Sequence, residues 1–218
     1  SPVILDLGCG AGGQTLQLAA LLKGDITAID SHAPAIEQLQ SKIVAQGLSG
    51  RIHAQVGNMA QPGLPPESVD LIWSEGAFYN IGIEDALRVC RRLLRPGGYL
   101  AFTDAVWRKA NPPAEVKDGL FQDYPMMGSA SDVLTKIQVS GLNRIGNFTL
   151  PDEAWWHDFY TPMEARIAAL RNEYAGDGEA LMILDEIALE PEMHRRYSSY
   201  YAYEFFVVRK PLEADGTG

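Results

Sequence analysis

The sequence is poor in the groups that staple small folds, ligate metals or hold polyanions. Only Cys9 and Cys90 occur among 218 residues, in no paired-thiol motif, which excludes a disulfide scaffold and suits a reducing cytoplasm with both thiols in packing roles. The four histidines show no metal-ligand spacing, so no metal is expected. Lysine and arginine total 18 against 28 acids, and the net charge of −10 repels nucleic acid and anionic membrane surfaces. The densest basic group, Arg88, Arg91, Arg92 and Arg95, lies on a helix opposite Ile83, Leu87, Cys90 and Leu94 and reads as a solvated face. No run approaches the roughly 20 apolar residues that span a bilayer, and no charged-then-apolar leader precedes the first apolar stretch. The expectation is a soluble, unexported protein without membrane insertion. The absence of an initiator methionine suggests numbering that begins inside a longer polypeptide.

What is present is a 46% hydrophobic chain, enough for one sizeable core and one domain spanning 1–218. Val3 to Leu7 is a short apolar run that ends in Gly8, and Thr15 to Leu22 repeats apolar residues at helical spacing. Asp25 to Ile29 follows as a second strand. Ser31 then caps a helix that turns Ile36, Leu39, Ile43 and Val44 inward and stops at Gly47. Arg51 to Val56 and Asp70 to Ser74 read as strands separated by a proline-rich loop with no room for a helix. A helix from Ile83 to Leu94 ends in Pro96-Gly97-Gly98, a stop and sharp turn before a buried strand from Tyr99 to Thr103. Alternation this regular implies an α/β, doubly wound parallel sheet.

The rhythm breaks at Trp107 to Ala130, which reads as an insertion, before a helix over Asp132 to Val139 and a strand over Leu142 to Leu150. Thr161-Pro162-Met163-Glu164 has the composition of a capping box. A further helix begins at Asp177 or Gly178 and passes Pro191, and Tyr200 to Val208 forms a closing strand. Tyr197, Tyr200, Tyr201 and Tyr203 alternate into that strand, so some face outward or towards a partner subunit, and a homodimer stays open.

Gly8-Cys9-Gly10-Ala11-Gly12-Gly13 fits a Gly-x-Gly-x-x-Gly turn, whose glycines let the backbone approach a ligand at a helix N-terminus. Asp30, ending the second strand, stands where either NAD or S-adenosylmethionine (SAM) would place its ribose hydroxyls. The company separates them: Ile4-Leu5-Asp6-Leu7-Gly8-Cys9-Gly10, Ser68-Val69-Asp70-Leu71-Ile72 and Leu93-Leu94-Arg95-Pro96-Gly97-Gly98-Tyr99-Leu100. This set resembles the class I SAM-dependent methyltransferases, and the chain looks closest to the small-molecule group that includes the quinone-ring C-methyltransferases.

The resemblance implies a Rossmann-like sheet of seven strands, the last antiparallel, with helices on both faces. Residues 1–106 would form the SAM-binding core, with 107–130 and 151–199 as inserted acceptor-site or lid segments. It implies methyl transfer from SAM to a small-molecule acceptor by in-line displacement, leaving S-adenosylhomocysteine. Asp6 would help hold the cofactor ammonium, Asp30 would bind both ribose hydroxyls, and Asn58 and Met59 would sit by the adenine. Gly8, Cys9, Gly10, Gln14, Ser31, Ser74 and Glu75 complete the implied cofactor set. A base for an acidic acceptor would come from Glu75, Asp104, His157 or His194, Glu75 first. Tyr79, Asp104, Trp107, Tyr124, Trp155 and His157 are candidates to enclose the acceptor. The rival readings are a nucleotide-binding oxidoreductase, a SAM-binding protein without turnover, and a methyltransferase acting on a protein.

Overall fold

The structure is a computed structural model that describes residues 1–212. The first half alternates as expected: β1 (Val3–Leu7), α1 (Gly13–Leu21), β2 (Asp25–Asp30), α2 (Ala33–Ala45), β3 (Ile52–Val56), β4 (Val69–Glu75), α3 (Ile83–Leu93) and β5 (Leu94–Trp107). The second half contains α4 (Ala130–Val139), β6 (Asn143–Thr149), α5 (Asp152–Trp155), α6 (Thr161–Glu173), α7 (Gly178–Tyr197) and β7 (Tyr201–Arg209). Seven strands form one sheet in the order β3-β2-β1-β4-β5-β7-β6. β1 pairs in parallel with β2 and β4, β2 with β3, and β4 with β5. The last strand runs antiparallel. Gly97 N–H donates to Lys210 O and Lys210 N–H to Gly98 O, joining the start of β5 to the residue after β7. Ile4, Leu5 and Leu7 are all buried, as a central strand covered on both faces requires.

The chain forms two compact units. Among the described residues, unit 1 comprises Ser1–Asp104, Ala130–Phe148 and 204–212; unit 2 comprises Ala105–Ser129 and Thr149–Tyr203. Among the described residues, no helix is long and apolar enough to cross a membrane.

Four local expectations are corrected. Ser31 does not cap α2: His32 holds that position, and the Asp30 carboxylate takes its N–H at 2.8 Å. Val44 is exposed, because Ile36, Leu39 and Ile43 alone fill the buried stripe of α2. Thr161 forms no capping box. The chain is already helical through the π-helical turn Trp156–Tyr160, and Glu164 is drawn to Arg195 at 2.6 Å. Pro96-Gly97-Gly98 does not separate helix from strand. Leu94 already pairs with Val69 and Tyr99 with Leu71, so the tripeptide loops out as a bulge within β5, with Gly97 at φ 80°.

Gly12 shows how tightly the turn before α1 is packed. Its φ is 82°, and a Cβ there would lie 2.1 Å from Leu39 Cδ1 on α2. Gly12→Ala combines a left-handed backbone, costing about 1–2 kcal/mol, with an overpacked contact costing about 1–3 kcal/mol. The expected result is a melting temperature roughly 5–20 °C below wild type by scanning calorimetry. A change under about 2 °C would mean that α2 yields freely at this point.

Candidate active site

The candidate cleft of unit 1 is built where β1, β2 and β4 end. Gly8 and Cys9 donate their N–H groups to Ile29 O, which ties the glycine turn to the end of β2. Gly8 packs so closely that an added Cβ would sit 2.3 Å from Ala77 Cβ, whereas a Cβ on Gly10, at φ 51°, would meet nothing within 4 Å. The turn thus offers open backbone at Gly10 while it is clamped at Gly8. Asp30 braces it from β2: Oδ2 accepts the N–H of Gly10 and Oδ1 that of His32, both at 2.8 Å. The cleft measures about 480 Å³, within the roughly 300–1,000 Å³ of small-molecule sites.

Its electrostatics are one-sided. Asp30 and Glu75 line it, and no lysine, arginine or histidine does so among the described residues. Beneath the turn, Asp6 is buried and its carboxyl is pushed up to about 7. Burial is the main cause; Glu75 and Asp30 add to it, and the Thr15 hydroxyl, which donates to Asp6 Oδ2 at 2.6 Å, opposes it. Glu75 is held at both oxygens: Trp73 Nε1–H donates to Oε1 at 2.7 Å and Gln14 Nε2 to Oε2 at 3.3 Å. Three carboxylates gathered without a lining cation suit a cationic ligand and disfavour a pyrophosphate, which needs neutralising donors. One such donor, the Gly10 N–H, is already taken by Asp30.

Most of the cofactor residues expected from sequence meet here. Gly8, Asp30, Ser31, Asn58, Met59, Glu75 and the acceptor candidate Tyr79 line the cleft, and Gln14 reaches it through Glu75. Asn58 turns its Oδ1 onto the N–H of Ala60 at 2.8 Å. Ser74 lies buried and donates to Leu7 O at 2.7 Å, clamping β4 to β1. Cys9 is a buried thiol pushed up to about 12 by burial and by the negative charge of Asp6 and Asp30, as a packing role requires. Asp104 is buried in β5. Sequence reasoning missed Trp73 and Thr15. Trp73 stands two residues before Glu75 on one strand, so period two puts both side chains on the same face; nothing local announces the pairing of Thr15 with Asp6.

Unit 2 holds the remaining candidates. Trp107 and Tyr124 line a separate cavity of about 420 Å³ with Asn111, Lys117 and Met127. Trp155 stacks at 4.6 Å on Tyr203 and lies 4.8 Å from His194, and exposed His157 sits in the π-helical turn; neither lines that cavity. His194 is buried, and burial holds its pKa below the ordinary 6.5 against the opposing pull of Asp152. In the neutral ring, Nε2–H donates to the Asp152 carboxylate at 3.1 Å, so Nδ1 accepts the Tyr201 hydroxyl at 2.8 Å. Tyr201→Phe leaves that nitrogen without its donor, and the denaturant midpoint is expected to report a loss of about 1–3 kcal/mol. An unchanged midpoint would remove this contact from the stability of unit 2. No group of three histidines, cysteines or acids among the described residues converges on a metal position.

The sheet order is that of the Rossmann-like methyltransferase fold. A family described as a methyltransferase domain matches residues 4–98, so the resemblance read from the sequence stands. The chain is 32% identical to a dimethylglycine N-methyltransferase of Parasynechococcus marenigrum (strain WH8102) over 102 residues, covering 46% of this chain and 36% of that protein. It spans about a quarter to a half of the length of the curated relatives it matches. Among solved structures it is similar to a SAM-dependent methyltransferase from Geobacter sulfurreducens in complex with S-adenosyl-L-homocysteine (TM-score 0.82, 18% identity, 95% of this chain and 84% of that one). It is also similar to the [4+2]-cyclase SpnF (TM-score 0.79, 21% identity, 97% and 75%). At these identities the solved structures establish the fold.

Proposed function

We propose that the protein transfers a methyl group from SAM to a small-molecule acceptor and releases S-adenosylhomocysteine. The observation that carries this reading is the lining of the 480 Å³ cleft, which holds Asp30 and Glu75 and no cation among the described residues. SAM brings an ammonium and a sulfonium, whereas NAD brings a pyrophosphate. Asp30 would hold the ribose hydroxyls, Asn58 and Met59 the adenine, and the Asp6 and Glu75 carboxylates the positive end. When bound, SAM supplies an activated methyl group and its own leaving group, so the protein's task is alignment and electrostatics.

Glu75 is engaged at both oxygens, which favours a role in fixing the cofactor's positive end over proton abstraction. Acceptor contact is assigned to Tyr79, which lines the cleft of unit 1, with Asp104, Trp107, Tyr124, Trp155 and His157 as further positions for mutagenesis. A net charge of −10 supports a small acceptor over nucleic acid. The two free, buried cysteines support a cytoplasmic setting without a metal or disulfide role. A second reading keeps SAM binding without methyl transfer. It is favoured by the occupied Glu75 carboxylate and by the likeness to a cyclase of this fold.

Titration calorimetry with SAM, S-adenosylhomocysteine and NAD(H) tests the cofactor assignment without an acceptor. Binding of both sulfur compounds and not of NAD(H) is expected. Binding of NAD(H), or of none of the three, overturns the assignment.

A further inference from the structure

A second cleft of unit 1, about 850 Å³, shares no residue with the acidic one and has the opposite character. Three elements bring cations to it: Arg88, Arg91 and Arg92 from α3, Lys136 from α4, and Lys210 just past β7. The arginine face that reads in sequence as solvated is exposed, and it also lines a concavity. The fourth arginine, Arg95, does not line the cleft and pairs with Asp70 at 2.6 Å.

Part of this charge is neutralised. Lys210 meets Glu67 at 2.8 Å, Lys136 meets Glu84 at 3.4 Å, and Arg88 meets Asp85 at 2.6 Å. Two guanidiniums are left over. Arg92 touches only the Leu64 carbonyl, at 3.3 Å, and Arg91 makes no hydrogen bond or ion pair among the described residues. In a chain of net charge −10, two adjacent uncompensated arginines inside a cleft are a local reversal of sign.

The planar guanidinium fork matches phosphate oxygens bidentately, and Pro66 and Val139 give the same cleft an apolar wall for an organic body. Its volume falls in the small-molecule range, and the negative charge of the whole chain works against an extended polyanion while a compact one feels mainly the local cations. The geometry points to an anion site in this cleft for a phosphorylated small molecule, with Arg91 and Arg92 as its phosphate-binding groups.

The test is calorimetric titration of the full chain with inorganic pyrophosphate at low salt and at physiological salt. Wild type is expected to bind, more weakly as salt rises. The double variant Arg91→Gln/Arg92→Gln should bind about tenfold or more weakly. Its melting temperature should match wild type, because both side chains are exposed. Arg144→Gln, which changes an exposed arginine outside the cleft, should bind as wild type does. No binding by wild type, or equal binding by the double variant, overturns the site. Poly-glutamate binding as tightly as pyrophosphate also overturns it, since the cleft would then be a surface for acidic polypeptide.

Discussion

Asp30→Ala is expected to reduce affinity for S-adenosylhomocysteine by roughly 10²–10⁴-fold in calorimetry. In the proposed complex the carboxylate accepts from two ribose hydroxyls, and a hydrogen bond to a charged group contributes about 1.5–3 kcal/mol. Two of them amount to about 3–6 kcal/mol, with a factor of ten for each 1.4 kcal/mol or so. The same carboxylate also holds the N–H groups of Gly10 and His32, so its removal loosens the turn on which the ligand rests. Asp30→Asn keeps the shape and removes the charge, so it should fall between wild type and alanine. A loss below about threefold in the alanine variant would show that the ribose is held elsewhere.

The second large effect is a pH dependence centred on Asp6. Its carboxyl rises from an ordinary 3.8 to about 7 on folding, so the folded protein binds a proton more tightly than the unfolded chain does. The sign follows: the contribution to stability is complete below about pH 4, is lost as pH rises towards 7, and is flat above that. The gap from 3.8 to about 7 sets an upper bound of roughly 4 kcal/mol. Asp6→Asn keeps an oxygen for the Thr15 hydroxyl and carries no charge, so the unliganded variant should be more stable than wild type at pH 8 and should lose this slope between pH 4 and 7. A cationic ligand acts in the opposite direction by favouring the ionised carboxylate. Affinity of wild type for SAM should therefore increase between pH 5 and 7, and that of Asp6→Asn should not. Parallel curves for the two proteins would remove Asp6 from the ligand's field.

The strands, helices and glycine turn up to β5 are legible in the sequence because local patterning dictates them: apolar runs of strand length, helical spacing between them, and glycines where the backbone needs positive φ. Asp30 and Glu75 are legible because they stand at strand ends, whereas Asn58 is named only through the resemblance to the methyltransferases. Cap signals failed where a tertiary partner outcompeted them, as Arg195 does at Glu164 and Asp30 does at the entry to α2. The cationic cleft is invisible locally: Arg91, Lys136 and Lys210 are brought together only by the packing of α3, α4 and the chain end. Likewise, no periodicity foretells that His194 is wedged between Asp152 and Tyr201.

The strand order also bears on how the chain is made. β7 lies between β5 and β6, so β6 has no neighbour in the sheet until the final strand is synthesised. At about 5–20 residues per second, the ribosome leaves β6 unpaired for roughly 3–10 s and an edge of β5 uncovered for roughly 5–19 s. Open strand edges are templates for pairing with other chains, so the nascent protein passes through a sticky interval that ends only when Tyr201–Arg209 slots in. A chain that terminates before Tyr201 is stranded in that interval and is expected in the insoluble fraction.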